Sequence, residues 1–412
     1  MKACGAALAA AVLVLAGCAA PLGNLEEGRL RFNEVVKATS EEQMLLNIVR
    51  LRYSDTPSSL TVSSIALQTE LVRSIGLVPL FGVSGGDNNV SGIGRILPQA
   101  QLQIADRPTI TLTPLDDQDF TRRLFTPVSA DAVLYLAKTT WPISTVFRLW
   151  LENLNWVSNA QSASGPTPVE SPDFVDFQRG ILALQTLQDR AYIVFSSEER
   201  EEAIGSPLPA ERVSAQDLLA AAKEGYEYRA GDDGKSLTLV KKRRAPVMRV
   251  HPNAIDSPEM DVVARAFRLR RGVTKYDIEI EKLDPFTVPL AGAEILDLET
   301  RSLLQVLYYV SKGIEVPPEH LRQGLAVQTR ERDGGPFDWS QVMRGLFRVG
   351  STDAQKAPTT AHTAVRYQGY WFYIDKRDAD TMSTFSLLLE LARLELPSRP
   401  QAPVFTLPLG GK

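Results

Sequence analysis

The chain has 412 residues, 44% apolar and 23% charged, with a formal net charge of −4 and an isoelectric point near 5.7. This is the balance of a globular protein, which excludes collagen-like, fully disordered and polytopic membrane chains. It also removes any global electrostatic attraction to nucleic acid. The two cysteines, Cys4 and Cys18, exclude a disulfide scaffold and a cysteine-based zinc cluster in the body.

The N-terminus reads as an address. Lys2 precedes an apolar run at residues 6–15 (AALAAAVLVL). That run suits the core of a secretory signal and is shorter than the ~20 residues of a spanning helix. Leu15-Ala16-Gly17-Cys18 follows. It resembles the lipobox of bacterial lipoproteins, in which the cysteine is diacylated and becomes the first residue of the mature chain. The resemblance implies residues 1–17 as a signal peptide, a covalent lipid such as palmitate on Cys18, and a tether over 18–24. The residue after the cysteine is Ala19, not the aspartate that retains many lipoproteins in the inner membrane. The implied location is therefore the outer membrane, with the body facing the periplasm. Each buried CH₂ contributes ~0.8 kcal/mol, and two acyl chains hold a protein stably on a bilayer. With Cys18 carrying lipid, the body must fold in an oxidising compartment without disulfides.

In chain order, the pattern predicts a helix over 25–37, then a second started by a capping box at Ser40-Glu41-Glu42-Gln43. Met44, Leu45, Ile48 and Val49 form its apolar stripe. The period then switches to two. Ile65, Leu67, Leu71, Ile75 and Leu77 alternate with polar or small residues, as do Leu102, Ile104, Ile110 and Leu112. Between these arms lies a Gly/Asn-rich stretch, which predicts one long β-hairpin over 60–81 and 95–113. Helices are expected over 129–138, from Pro142 to 154, and from Ser171 to 190, with a Ser/Pro/Gly linker at 158–171. A short strand follows at 191–195.

Further on, Ser214 caps a helix to 224, and strands at 226–229 and 236–240 flank a turn at 231–234. Ser257-Pro258 opens a helix to 269, 277–283 reads as a strand, and 300–311 as a helix. Strands at 346–349 and 365–374 precede a last helix over 378–394. The fold class is α+β: a long hairpin plus a helical block, followed by a mixed α+β C-terminal region. The expected domains are 25–195 and 210–396, two lobes joined near 196–209, with a Pro-rich tail at 397–412. No internal repeat is visible.

Blocks at 47–60, 107–115, 122–128 and 367–378 (YQGYWFYIDKRD) are similar to those of a group of bacterial envelope lipoproteins with no established activity. That resemblance implies location and no chemistry. Candidate motifs read better as structure. Gly82-Val83-Ser84-Gly85-Gly86 matches the nucleophile-elbow string, yet no helix pattern follows it. Residues 231–236 (GDDGKS) echo a phosphate loop, but the first glycine is replaced by Arg229. His251, His320 and His362 form no metal-ligand spacing. Lys241 to Arg244, and Arg268, Arg270 and Arg271, are basic clusters read as a solvated strand end and helix end. Tyr370, Trp371, Phe372 and Tyr373 put aromatics on both faces of a strand; one face belongs in the core and the other is a candidate partner contact.

No catalytic, cofactor or metal residues emerge. The leading expectation is a non-enzymatic, lipid-anchored binding or scaffolding component of an envelope assembly, with membrane and envelope proteins as partners and oligomers open. Two alternatives stand beside it: an oligomeric pore or secretion-channel subunit donating the 60–113 hairpin, and an envelope-polymer hydrolase built on Ser84.

Overall fold

The computed structural model describes residues 23–57, 60–81, 93–114, 118–139, 141–232, 234–284, 286 and 292–395. The expected signal peptide, Cys18, most of the tether, the hairpin tip with Ser84 and the Pro-rich tail lie outside the described residues. The chain divides into two units, the segment around the hairpin and the remaining body.

In the hairpin, β1 (Leu60–Phe81) and β2 (Ile93–Pro114) pair antiparallel over their length. Ile65 faces Ile110, Leu71 faces Ile104 and Arg73 faces Leu102. The arms lie within two residues of those the alternation predicts. Register shifts occur between Val62 and Ser64 and between Leu80 and Phe81.

The body is α+β. It starts with α1 (Gly23–Arg52), a single uninterrupted helix where the sequence predicts two. Ser40 does not cap. Its hydroxyl donates to Val36 O at 2.7 Å, and Thr39 donates to Val35 O at 2.9 Å. Both side chains bond back into the preceding turn, so the helix continues through them. Leu45, Ile48 and Val49 are buried, as their spacing predicts.

A helical block follows: α2 (Gln118–Phe125), α3 (Ala130–Lys138) capped by Ser129, and α4 (Ile143–Trp150). The sequence carries α4 on to 154. Instead the chain becomes strand β3 (Leu151–Leu154), because it pairs with a strand from far downstream: Leu154 faces Leu298. Then come β4 (Val157–Ser158), α5 (Val175–Asp189), β5 (Ile193–Pro209), α6 (Ala215–Lys223), β6 (Tyr226–Ala230) and β7 (Ser236–Val250). Next are α7 (Pro258–Ala266), β8 (Lys275–Ile280), β9 (Ile295–Thr300), α8 (Leu303–Ser311), α9 (Pro318–Arg322) and α10 (Ser340–Met343). The last elements are β10 (Gly350–Thr352), β11 (Ala361–Tyr367), β12 (Tyr370–Asp375) and α11 (Ala379–Glu395).

Seven strands form one mixed sheet in the order β4-β3-β9-β8-β7-β5, with β6 also on β7. Only β8 and β9 run parallel within it. A second sheet has the order β10-β12-β11. Residues 196–209, expected to join two lobes, are strand β5, paired with β7 from Ile193–Val250 to Pro209–Ser236. The seven-stranded sheet draws on chain before and after that stretch. Residues 346–349 are not a strand; Val349 makes only an isolated bridge to Ile314, and the ladder starts at Gly350.

Capping chemistry is where local sequence is most informative. Ser214 with Asp217 and Ser302 with Gln305 form reciprocal capping boxes, and Ser257 caps α7 with Pro258 in its first turn. The core runs through Phe147, Trp150, Phe177, Phe267, Tyr276 and Leu298 to Phe347, Phe372 and Phe385. Helix α5 meets Phe267 at Gly180, where a Cβ would lie 2.5 Å from the ring.

Candidate functional site

Three positive charges are taken almost completely out of water where α1, α8 and the 158–171 stretch converge, and they are solved in two different ways. Arg301, between β9 and α8, has no exposed surface. Its Nε donates to Ser164 Oγ at 2.8 Å, and Nη1 donates to Arg148 O at 2.9 Å and Leu151 O at 2.7 Å. Its Nη2 donates to Asn159 O, and the Tyr309 ring lies 3.9 Å from the guanidinium carbon. Asn159 turns its own amide to the Arg148 and Leu151 carbonyls and accepts from the Tyr309 hydroxyl. Burial brings Arg301 down to about 10, while Tyr309, Glu152 and Glu299 act in the opposite sense. Glu152 is itself pushed up, chiefly by burial. Every nitrogen of Arg301 is bonded, so it is a structural hub.

Arg52 and Lys312 are not closed in this way. Arg52 ends α1 and is 4% exposed; Lys312 follows α8 and is 1% exposed. Nη1 of Arg52 donates to Thr167 Oγ1 at 3.1 Å and to Val327 O at 3.2 Å, and Nη2 donates to the same carbonyl at 3.2 Å. Its Nε is buried without a hydrogen-bond partner. Nζ of Lys312 donates to Gly165 O at 3.0 Å and to Thr167 Oγ1 at 3.3 Å. One threonine oxygen thus receives hydrogen bonds from both cations. Among the described residues no carboxylate accepts from either. Burial lowers Arg52 to about 10, and burial followed by the adjacent Arg52 charge lowers Lys312 to about 7. An unsatisfied buried donor costs roughly 1–3 kcal/mol, and here it belongs to a charged group.

These two side chains line a cavity of about 660 Å³. Its apolar wall comes from Ile314, Phe337, Trp339, Met343, Leu346 and Phe347. The backbone at 313–315 runs beside 347–349: Val349 N–H donates to Gly313 O at 3.0 Å, and Glu315 N–H donates to Val349 O at 2.9 Å. The approach requires glycine at 313, since a Cβ there would sit 2.4 Å from Phe347 O. Of the acids lining the cavity, Glu315, Asp338 and Asp378 have partners of their own. Glu315 pairs with Arg348 at 3.5 Å, Asp338 accepts from Ser340, and Asp378 accepts from Thr381. The cavity is partly apolar, and its charged lining carries Arg52, Lys312, Arg344 and Arg348 together with Glu315, Asp338, Asp378 and Asp380.

The residues singled out from sequence lie elsewhere. Phe372 is fully buried, so it is core and not a partner contact. Tyr370, Trp371 and Tyr373 are half-buried. Tyr370 packs edge-on against His320, with ring centres 4.8 Å apart, and the Tyr373 ring covers Gly350. His320 bonds the Tyr53 hydroxyl at 2.6 Å and Gln368 O at 3.1 Å. His251 caps a turn by accepting from Asn253 N–H, and His362 pairs with Glu41 at 3.2 Å. In the GDDGKS stretch, Gly231 N–H donates to Ser236 O at 2.9 Å, between the end of β6 and the start of β7. In the basic clusters, Lys242 pairs with Glu227, Arg243 with Glu279, Arg270 with Glu294 and Arg271 with Asp261. No group of His, Cys, Asp and Glu among the described residues could hold a metal ion, and no helix there is long and apolar enough to cross a membrane.

Arg52 and Lys312 were not anticipated, although a signal existed for one of them. Arg52 lies seven, four and three residues after Leu45, Ile48 and Val49, so the apolar stripe of α1 runs directly onto it. The other half of the site, Gly165 and Thr167, lies in the stretch that composition marks as a linker. Comparison of the chain with models of protein families, with curated proteins and with solved structures finds no match.

The Lys312 environment predicts a pH dependence. In the folded protein its ammonium loses its proton near pH 7, while in the unfolded chain it holds it to about 10.5. Between those values the unfolded state binds more protons, so stability rises with pH. Relative to Lys312→Met, the unfolding free energy of the wild type should climb by up to about 1.4 kcal/mol per pH unit across that window. It should be level below pH 7. Denaturant titrations at several pH values measure both slopes.

Proposed function

We propose that this protein is a lipid-anchored component of the bacterial cell envelope, held at the outer membrane through Cys18 and facing the periplasm, whose body binds and does not catalyse. The lipobox-like Leu15-Ala16-Gly17-Cys18 supports the anchor. The binding half rests on one observation: the cavity of about 660 Å³ whose lining includes the buried Arg52 and Lys312. The three histidines, the usual proton carriers of hydrolytic sites, each serve packing, capping or pairing. Its partners are other envelope proteins, and it needs no cofactor beyond the covalent lipid. Attachment confines the protein to two dimensions, which raises its effective concentration for membrane-bound partners.

A second reading has its own observation. Strands β1 and β2 have 22 residues each and form a sheet of only two strands. At ~3.4 Å per residue each arm spans about 70 Å, and an isolated two-stranded hairpin is marginal in water. Strands from further copies would complete such a sheet, as in an oligomeric pore or secretion-channel subunit. In that case residues 65–77 resist protease in intact membranes; ready cleavage there removes this reading.

The anchor is tested by mass spectrometry and fractionation. The mature chain should begin at residue 18 with acyl chains on Cys18, and Cys18→Ser should leave the membrane fraction. An unmodified residue 18, or an unchanged distribution of Cys18→Ser, overturns the proposal.

A further inference from the structure

Register sorts the residues of the hairpin onto two faces of different chemistry. Successive residues of a strand lie on opposite faces, and residues paired across strands share one. The face that carries the Ile65–Ile110 pair continues through Leu71–Ile104 to Leu77–Pro98. Between Ile65 and Pro79 its polar positions are Thr69, Arg73 and Asp106. The opposite face holds Gln68, Glu70, Gln101 and Gln103 among its positions. The two charges of the apolar face are placed symmetrically. Arg73, on β1, lies two residues to one side of the Leu71–Ile104 pair; Asp106, on β2 opposite Thr69, lies two residues to the other side. That pair is also the middle of both 22-residue strands.

We propose that the hairpin is a self-association module, in which two copies of this chain pack their Ile65–Ile110 faces antiparallel about a two-fold axis at Leu71–Ile104. That one axis overlays both hairpins over their full length and sets Arg73 of each copy opposite Asp106 of the other. Such an interface is isologous, so the match is made twice. A parallel stack sets Arg73 against the Leu102 position instead, and leaves both charges unmatched in an apolar layer. At ~3.4 Å per residue and ~4.8 Å between strands, one face covers roughly 700 Å². Two faces together bury roughly 1,400 Å², within the ~1,200–2,000 Å² of a stable interface. Edge-on joining of copies is disfavoured by Pro79 in β1 and by Pro98 and Pro108 in β2, since a proline within a ladder turns its nitrogen to the outer edge and offers no donor there. Lipid is disfavoured too, because an arginine at mid-depth on a lipid-facing strand costs ~2–4 kcal/mol.

This inference concerns the hairpin alone and goes beyond the reading of the body. Failure of the anchor leaves it standing, and its own failure leaves the anchor standing. The experiment is sedimentation equilibrium of the full chain in a density-matched non-ionic detergent. The wild type should be a dimer. Arg73→Glu and Asp106→Arg each set like charges opposite one another, and each should weaken self-association at least about tenfold. An equimolar mixture of the two variants restores both opposite-charge pairs, and should return association to within about threefold of the wild type. The wild-type stoichiometry decides the matter if the variants do not fold. A monomeric wild type, an assembly of more than two copies, or a mixture of folded variants that associates no better than either alone overturns the proposal.

Discussion

Arg301 lies where β9 gives way to α8, with no surface in water, and its guanidinium gathers chain from places far apart in sequence. It holds the carbonyls at the α4–β3 junction, Asn159 after β4 and Ser164 in the stretch beyond. A charge removed from water requires oxygen on every side. Here that requirement brings these segments together at fixed distances and buries Asn159 and Ser164 within a stretch of linker-like composition. Tyr309 completes the cage with the face of its ring. The seven-stranded sheet depends on this meeting, because β3 and β9 flank the Arg301 contacts and pair with each other.

The same stretch then supplies the acceptors for a second pair of cations, with a different outcome. Gly165 and Thr167 follow directly on Ser164 and reach Lys312 and Arg52. Arg301 senses the nearby acids Glu152 and Glu299, whereas Arg52 and Lys312 face each other without one. Two buried like charges side by side, neither bonded to an acid, oppose folding. On the proposed reading, an acylated residue 18 fixes the protein at a bilayer and the body faces the periplasm.

Local patterns carried much of the architecture. The alternation from Ile65 to Leu77 and from Leu102 to Leu112 placed both hairpin arms, and Ser129, Ser214 and Ser257 marked helix starts that the structure shares. What local sequence could not supply was long-range pairing. Residues 151–154 look helical beside Trp150 and become strand only because β9 arrives from almost 150 residues away. Ser40 looks like a cap, yet its hydroxyl bonds the preceding turn. The aromatic run at Tyr370 to Tyr373 suggested one core face and one contact face; Phe372 is buried, and Tyr370, Trp371 and Tyr373 are half-buried, Tyr370 against His320 and Tyr373 over Gly350. The site was the least legible part. Arg52 carries a trace of its burial in the periodicity of α1, but Lys312 follows a helix like any surface lysine, and the glycine and threonine that hold it sit among Ser, Pro and Gly.

The central claim is that Lys312 stands beside Arg52 with no acid to neutralise it. Nuclear magnetic resonance of a side-chain-labelled Lys312, assigned through Lys312→Met, follows its protonation directly in the unliganded protein. The account predicts a midpoint near pH 7. A midpoint at the ordinary lysine value near 10.5 would contradict it, because the ammonium would then have a counter-charge or open water beside it.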